Sequence, residues 1–212
     1  MEGSLKKNMN KNIDTFNKWA KEDKDKSMQL NHTASVEEMF KIIHNETDKL
    51  KYPFKFLDLG CGNGWVIRKA LEHSNCKFAL GIDNAENMIN KALKHKKGNF
   101  ITGNIEDYSY KGRFDIIFSM ETMYYINNIE KSLNNIFHKG LKDDGIMIMG
   151  IDHYKENESS LNWSKDYNLD MKTLSINEWK DEFLNFGFKK ITHYQYGKKK
   201  EWSGTLIILA QK

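Results

Sequence analysis

The chain has 212 residues, a formal net charge of +4 and a hydrophobic fraction of 39%, which suits one domain with a substantial core rather than two domains. No apolar run approaches the roughly 18 residues that a membrane span needs. Residues 1–12 are rich in lysine and asparagine and lack the apolar segment of a secretory signal, so we expect a cytoplasmic protein that does not enter a membrane.

The basic residues and the cysteines argue against two further classes of protein. The 33 basic residues include two arginines, Arg68 and Arg113, and 29 acidic residues are scattered among the lysines. Nucleic-acid surfaces favour arginine and a clustered basic face, so a nucleic-acid partner is disfavoured. The two cysteines, Cys61 and Cys76, are too few for a disulfide framework, and their spacing is not that of a zinc site.

The first quarter of the chain is predicted to be helical. Residues 1–52 form this N-terminal extension, and residues 53–212 form the main part, which begins at the single proline. Within the extension, Ile13, Phe16 and Ala20 follow helical spacing. We expect the two parts to make one structural domain overall.

A second helix of the extension is predicted to start near residue 35. The sequence Ser-Val-Glu-Glu at residues 35–38 has the form of a capping box, in which a serine and a glutamate three residues later satisfy the first backbone groups of a helix. The following residues give this helix an apolar face: Val36, Met39, Phe40 and Ile43.

Beyond the proline, apolar runs typical of strands alternate with helical patterns. Strands are predicted at residues 54–59, 78–82, 100–102, 114–119 and 146–151. Helices are predicted at residues 66–71, 88–93 and 129–141. This alternation indicates βαβ units and an α/β fold with a largely parallel sheet.

The end of the chain departs from that alternation. Ser175 and Glu178 form a second capping-box pattern that opens a helix. Residues 188–194 and 205–209 then read as two strands with no helix between them, which predicts a terminal antiparallel hairpin. Residues 154–173 show no period and are expected to be a loop or insertion.

A glycine-rich turn follows the first strand and carries the strongest functional signal. It reads Asp-Leu-Gly-Cys-Gly-Asn-Gly at residues 58–64, and glycines are needed where a backbone turns tightly and a ligand touches it. Parallel sheets bind ligands at this end of their strands. Asp83 ends the next strand, where an acid can grip a ribose diol. It could also cap the following helix, and both roles can coexist.

Four segments together resemble class I S-adenosylmethionine (SAM)-dependent methyltransferases. The Asp-x-Gly-x-Gly-x-Gly pattern at residues 58–64 is similar to motif I of that family, and its third glycine comes one position too early for the nicotinamide dehydrogenase pattern. Residues 99–107 resemble the adenine-contacting segment, residues 114–119 motif IV, and residues 141–145 the turn before strand five.

This resemblance implies both a fold and a cofactor. The fold would be a Rossmann-like seven-stranded mixed sheet in the order 3-2-1-4-5-7-6, with strand seven antiparallel, helices on both faces and the N-terminal helices as a lid over the cofactor. The cofactor would be SAM, with S-adenosylhomocysteine (SAH) as the product. The cofactor-binding residues implied by this likeness are Trp19, Asp58, Gly60, Cys61, Gly62, Asn63, Asp83, Asn84, Met88, Asn104, Ile105, Glu106 and Ser119.

Several of these residues have implied roles. The backbone at residues 60–62 should approach the methionine part of SAM, with Asp58 near its amino group and Asp83 on the ribose. Met88 or Asn84 would border the adenine. Asn104 departs from the family, which often has aspartate there. An amide oxygen can still accept a hydrogen bond from the adenine amine.

The implied reaction is an in-line displacement, in which positioning matters more than a general base. Residues 119–125 read Ser-Met-Glu-Thr-Met-Tyr-Tyr and lack the Asn/Asp-Pro-Pro-aromatic motif of enzymes that methylate amide or base nitrogens. No cysteine follows strand four as a cytosine methyltransferase would need. A small-molecule acceptor is therefore favoured over RNA or protein, and a non-catalytic binding subunit is the remaining alternative. The chain could act as a monomer or homodimer.

Candidate acceptor-pocket residues come from the ends of strands four and five and from the extension: Glu121, Tyr124, Tyr125, Asp152 and His32. Aromatic rings beside carboxylates suit an amine or another cationic acceptor. As an alternative, Glu121 and Asp152 with His153 could bind a divalent metal. The usual aspartate-rich pattern is missing, so we expect no metal.

Overall fold

The computed structural model describes residues 2–212 of the chain, with side chains from residue 11 onward. The prediction that residues 1–12 are not a secretory signal is not tested by the structure, because Met1 and the side chains of residues 2–10 lie outside this description. The helices are α1 (Glu2–Lys21), α2 (Lys24–Glu46), α3 (Trp65–Ala70), α4 (Glu86–Lys94), α5 (Ile129–Asn135), α6 (Trp163–Asp166) and α7 (Ile176–Asn185). Among them, none combines the length and the apolar character that crossing a membrane requires.

The strands form one seven-stranded sheet in the order β3-β2-β1-β4-β5-β7-β6. Their bounds are β1 (Phe54–Leu59), β2 (Cys76–Asp83), β3 (Asn99–Thr102), β4 (Phe114–Met120), β5 (Leu141–Ile151), β6 (Lys190–Tyr196) and β7 (Thr205–Gln211). Strands β1 to β5 run parallel, and β7 pairs antiparallel with both β5 and β6. The predicted strand order, the antiparallel strand seven and the terminal hairpin are confirmed.

Apolar side chains cover both faces of the sheet. On one face, α2 and α3 pack their buried residues against β1 and β4, with Phe40 stacked on Phe56 and Phe118. On the other face, α5 and α7 bury Leu133 and Trp179. Burial of this apolar surface is the main term that favours the folded state. The predicted apolar face of the second helix is confirmed, because all four of its residues are buried.

The predicted start of that second helix is wrong. Helix α2 begins at Lys24 and runs without a break to Glu46, so Ser35 lies in its interior. The Ser35 hydroxyl is buried and lies 2.7 Å from the Thr205 hydroxyl. The Ser-x-x-Glu pattern therefore does not mark a helix start here, because the Ser35 side chain contacts Thr205 of β7.

Other boundaries differ in instructive ways. The helix predicted over residues 129–141 is helical as far as Gly140, but only α5 is an α-helix, and Ile136–Gly140 form a π-helical turn. The turn expected before strand five is an irregularity inside β5, where the pairing with β4 shifts register. The capping box at Ser175 and Glu178 is confirmed, with both reciprocal hydrogen bonds present. Residues 154–173 are mostly irregular and include the short α6.

Candidate active site

A cavity lies at the carboxyl ends of β1, β2 and β4, covered by side chains of α1 and α2. It contains about 1160 Å³ of atom-free space, counting its open mouth. Most of the residues that the sequence resemblance assigned to cofactor binding line it: Asp58, Gly60, Cys61, Gly62, Asn63, Asp83, Asn84, Met88, Asn104, Ile105 and Glu106. Ligands of open α/β sheets bind at this end of the strands.

Two predicted cofactor residues do not line this cavity. Ser119 is completely buried, and its hydroxyl donates to the Leu59 carbonyl at 3.2 Å, so it links β4 to β1. Trp19 packs edge-on against Phe16 and Tyr167, with ring centroids 5.4 and 5.8 Å away. Neither Ser119 nor Trp19 contacts the cavity, and a cofactor role for either of them stays a prediction.

The glycine loop after β1 is shaped by backbone conformations that favour glycine. Gly60, Gly62 and Gly64 have φ angles of 76°, 51° and 76°, in the left-handed region where a Cβ atom is costly. The Gly60 N–H donates to the Ile82 carbonyl at 2.8 Å. A Cβ atom at Gly62 would meet no other atom within 4 Å. The loop thus presents bare backbone to an open space inside the cavity.

Asp83 ties this loop to the end of β2. Its Oδ2 accepts the Gly62 N–H at 2.8 Å, and its Oδ1 accepts the Ala85 N–H at 2.8 Å. Burial raises the pKa of Asp83, and these two backbone hydrogen bonds partly offset that effect. Each carboxylate oxygen can accept a second hydrogen bond, so capping the next helix leaves capacity for ribose hydroxyls.

Asp58 is the clearest sign that the cavity receives a charged ligand. Its side chain is only 2% exposed and lines the cavity, yet none of the side chains described, those of residues 11–212, forms a hydrogen bond or ion pair with it. Burial, and then the charge of Asp83, raises the pKa of Asp58 well above its usual range. Buried carboxylates are normally paired because desolvation is costly. An ammonium group on the ligand would supply the missing partner.

The extension contributes residues that the sequence did not single out. The Asn63 amide donates to Asp25 at 2.9 Å and to Gln29 at 3.3 Å, joining the glycine loop to α2. Lys91 of α4 also pairs with Asp25 at 2.5 Å. Asp25 lies in a lysine-rich stretch without apolar periodicity, so its burial under the loop carries no local sequence signal.

Two polar residues after β3 line the cavity and also accept hydrogen bonds from nearby backbone N–H groups. The Asn104 side chain accepts the Glu106 N–H at 3.0 Å and donates to Asp107 at 3.0 Å. The Glu106 carboxylate accepts the backbone N–H groups of Asn127 and Asn128 at 2.9 and 3.2 Å. These contacts fix the segment that borders the predicted adenine position.

The acceptor candidates meet in one buried cluster. The Nε2 atom of His32 lies 3.4 Å from Asp152 Oδ2 and 3.9 Å from Glu121 Oε2. The Tyr124 hydroxyl donates to Glu121 Oε2 at 2.6 Å, and the Asp152 N–H donates to Glu121 Oε1 at 2.5 Å. His32, Glu121 and Tyr125 line the cavity, whereas Tyr124 is buried behind it. The cluster therefore combines three elements, α2 and the ends of β4 and β5.

Glu121 is held in an unusual backbone conformation. Its φ angle of 56° lies in the left-handed region, which is uncommon for a residue other than glycine and is often found at functional sites. Its N–H donates to the Gly150 carbonyl of β5 at 2.9 Å. These contacts direct the carboxylate toward His32 and Asp152.

The charges of the cluster shift its proton affinities. Burial opposes protonation of His32, but the hydrogen bond to Asp152 and the charge of Glu121 outweigh it and raise the pKa of His32 to about 9. Burial, followed by the charge of Asp152, raises the pKa of Glu121 to about 8, although His32 acts in the opposite sense. The imidazole is thus protonated at neutral pH and offsets part of the negative charge.

His153 lies apart from this cluster. Its ring nitrogens lie 3.0 Å from the Ser160 carbonyl and 2.8 Å from the Thr173 hydroxyl, so the metal site considered with His153 does not assemble. His32 takes its place, because His32, Glu121 and Asp152 each present a ligand atom within 4.8 Å of the others. This trio is the part of the described chain that could hold a metal ion.

Stability should depend on pH through this cluster. The folded pKa of His32 is raised from 6.5 to about 9 and that of Glu121 from 4.5 to about 8, so the folded state binds more protons than the unfolded chain. The stabilisation from His32 is complete below pH 6.5 and is lost as pH rises through 9. Since one pKa unit corresponds to about 1.4 kcal/mol, the loss is on the order of 3 kcal/mol.

The double substitution His32→Gln and Glu121→Gln tests this pH dependence. We expect urea denaturation of the wild type to show a falling free energy of unfolding between pH 6.5 and pH 9. The double variant should show a much flatter dependence, because both raised groups are gone. Equal slopes for the two proteins would contradict the assigned proton affinities.

Comparison with known proteins identifies the family. Residues 50–195 match the family described as a methyltransferase domain, and the chain belongs to that family. The predicted resemblance to SAM-dependent methyltransferases is thereby confirmed. A malonyl-(acyl-carrier protein) O-methyltransferase of Ilyobacter polytropus is 33% identical over 115 residues, which are 51% of this chain and 44% of that protein. The chain spans about half the length of such curated relatives.

Solved structures share the fold. A SAM-dependent methyltransferase from Thermotoga maritima has a TM-score of 0.71 at 18% identity, covering 93% of this chain and 98% of that one. The N-methyltransferase NodS from Bradyrhizobium japonicum, solved with SAH, has a TM-score of 0.65 at 15% identity, covering 85% and 86% of the two chains. At these identities the likeness concerns the fold alone.

Proposed function

We propose that this protein is a SAM-dependent methyltransferase that transfers a methyl group to a small-molecule acceptor by in-line displacement. The observation that carries the proposal is the buried Asp58 carboxylate, which lines the cavity and has no partner among the side chains of residues 11–212. The bare backbone at Gly62 and the spare hydrogen-bond capacity of Asp83 support it. Together they fit a ligand with an ammonium group and a ribose.

Each group of residues would then hold one part of the cofactor. Asp58 would pair with the amino group, the backbone of residues 60–62 would lie along the methionine part, and Asp83 would accept the ribose hydroxyls. Met88 and Ile105 would border the adenine. When bound, SAM supplies a methyl group on a positively charged sulfur, which is a good leaving group.

The extension formed by residues 1–52 would act as a lid. Asn12, Ile13 and Phe16 of α1 line the cavity together with residues of α2. Asn12 exchanges two hydrogen bonds of 2.9 Å with the backbone of Asp170, which fastens α1 to the segment after β5. Such a cover keeps water away from the reacting atoms.

Calorimetry with SAM and with SAH tests the binding step, and transfer of label from methyl-tritiated SAM into cell-extract fractions separated by size tests the reaction. We expect binding of both ligands and label in the small-molecule fraction. Binding without any transfer would favour a non-catalytic subunit, and label in RNA or protein would favour a macromolecular acceptor. Absence of binding would refute the proposal.

A further inference from the structure

The cavity wall is acidic. Five carboxylate side chains line it, and the single basic side chain among the described lining residues is that of His32. Neither lysine nor arginine occurs among these residues, so an anionic acceptor would meet no permanent positive charge. A carboxylate acceptor is therefore electrostatically disfavoured, whereas a cation would be attracted.

The cluster of His32, Glu121 and Asp152 contains an unmet hydrogen-bond acceptor. Asp152 is 6% exposed, and its Oδ1 atom has no hydrogen-bond partner in the part of the chain whose side chains are described. Leaving a buried acceptor unpaired is costly. The Nε2 atom of His32 lies between the two carboxylates, 3.4 and 3.9 Å from their nearest oxygens. The protein thus already places one positively charged nitrogen, that of His32, beside these two carboxylates.

Aromatic rings border the same end of the cavity. Phe16 and Tyr125 both line it and meet edge to face with ring centroids 5.2 Å apart. Rings of this kind pack against aliphatic carbon and attract a cation within about 6 Å of the ring centre. Carboxylates beside aromatic rings thus provide both a charged and an apolar contact.

Resting on the methyl-transfer function proposed above, we propose that the acceptor is a small amine. Its protonated nitrogen pairs with the Glu121 carboxylate beside His32, and its carbon skeleton packs against Phe16 and Tyr125. Asp152 acts as a positioning residue that adds negative charge and fixes Glu121 through its backbone N–H. This differs from the substrate class named for the malonyl-(acyl-carrier protein) relatives, which carries a carboxylate.

The transfer conserves atoms and charge. The pKa of Glu121 is about 8 without ligand, and the ammonium that binds beside it lowers this pKa, so that Glu121 first releases its own proton to solvent. The bound ammonium then gives one proton to the Glu121 carboxylate, and the freed lone pair forms the new N–C bond. The C–S bond breaks at the same time, and its electron pair stays on sulfur, which becomes a neutral thioether. The product leaves as an N-methylammonium, and the proton on Glu121 passes to solvent.

The chemical class of the acceptor can be tested without knowing its identity. Methyl-tritiated SAM is incubated with the purified protein and a low-molecular-mass cell extract, either untreated or with its amines blocked by acetylation. We expect label in a base-stable product that binds a cation exchanger, and we expect acetylation to abolish it. Labelling that survives acetylation in a product that the cation exchanger does not retain, or label released as volatile methanol in base as from a methyl ester, would overturn the amine assignment.

Variants of the cluster test its residues. Glu121→Gln keeps the size of the side chain but removes its charge, so the amount of extract giving half-maximal labelling should rise about tenfold or more. Asp152→Asn should raise it less, and Asp166→Asn, at an exposed site, should leave it unchanged. The affinity for SAH should stay the same in all three. Unchanged half-saturation in Glu121→Gln would contradict the proposed contact.

Two further outcomes separate this inference from others. Loss of labelling in EDTA, restored by a divalent metal, would assign the cluster to a metal ion and overturn the direct ammonium contact. Normal SAH binding with label in a non-basic product would overturn the acceptor class and leave methyl transfer intact. Absence of SAH binding by the wild type would instead refute the proposed SAM-dependent methyl transfer.

Discussion

Replacing Asp83 by alanine is expected to weaken the binding of SAM and SAH about tenfold or more, because the ribose hydroxyls lose their acceptor. The substitution also removes the hydrogen bonds to the N–H groups of Gly62 and Ala85. The glycine loop would then lose its attachment to the end of β2. Both effects act on the same ligand site, which makes this one of the two largest effects that we expect.

Calorimetry on Asp83→Asn and on Asp143→Ala provides the comparison. Asn retains one oxygen acceptor, so its loss of affinity should be smaller than that of Asp83→Ala. Asp143 is exposed, pairs with Arg113 and does not line the cavity, so its removal should leave SAH affinity unchanged. Equal affinities in the wild type and Asp83→Ala would remove the assigned role.

The second large effect is expected for Gly60→Ala. Its φ angle is 76°, and an added Cβ atom would lie 1.9 Å from the Thr122 hydroxyl oxygen. The left-handed conformation and the clash together should lower the free energy of unfolding by about 3 kcal/mol or more. Urea denaturation measures this loss directly.

Gly62→Ala is the matched control, because Gly62 also has a positive φ angle but a Cβ atom there meets open space. Its stability should fall by only about 1–2 kcal/mol. Its SAH affinity should fall more clearly, since the methyl group would occupy the room needed by the ligand. A stability loss in Gly62→Ala as large as that in Gly60→Ala would contradict this reading of the loop.

Much of the fold could be predicted from local patterns. Strand β1 begins and ends where its apolar run indicates, and the capping box at Ser175 opens a helix as expected. The box at Ser35 fails because the pattern does not reveal whether a helix has already begun. Packing of α2 on the sheet decides that question, and it buries Ser35 against Thr205.

The two halves of the site differ in how far the sequence reveals them. Asp58 and Asp83 lie beside recognisable strand ends, so their meeting in one cavity follows from the order of the strands. Asp25 and His153 carry no such signal, because the first is brought to the loop by a helix from outside the sheet. The His153 ring instead contacts the Ser160 carbonyl in the segment after β5. His32 of α2 lies beside Asp152, in the position predicted for His153.

A crystal structure with SAH bound tests the central claim most directly. We predict the ribose hydroxyls within hydrogen-bond distance of Asp83, the amino group beside Asp58, and the sulfur facing Glu121 and Tyr125. A ligand bound elsewhere on the protein, or a cavity closed by side chains so that SAH cannot enter, would contradict the account.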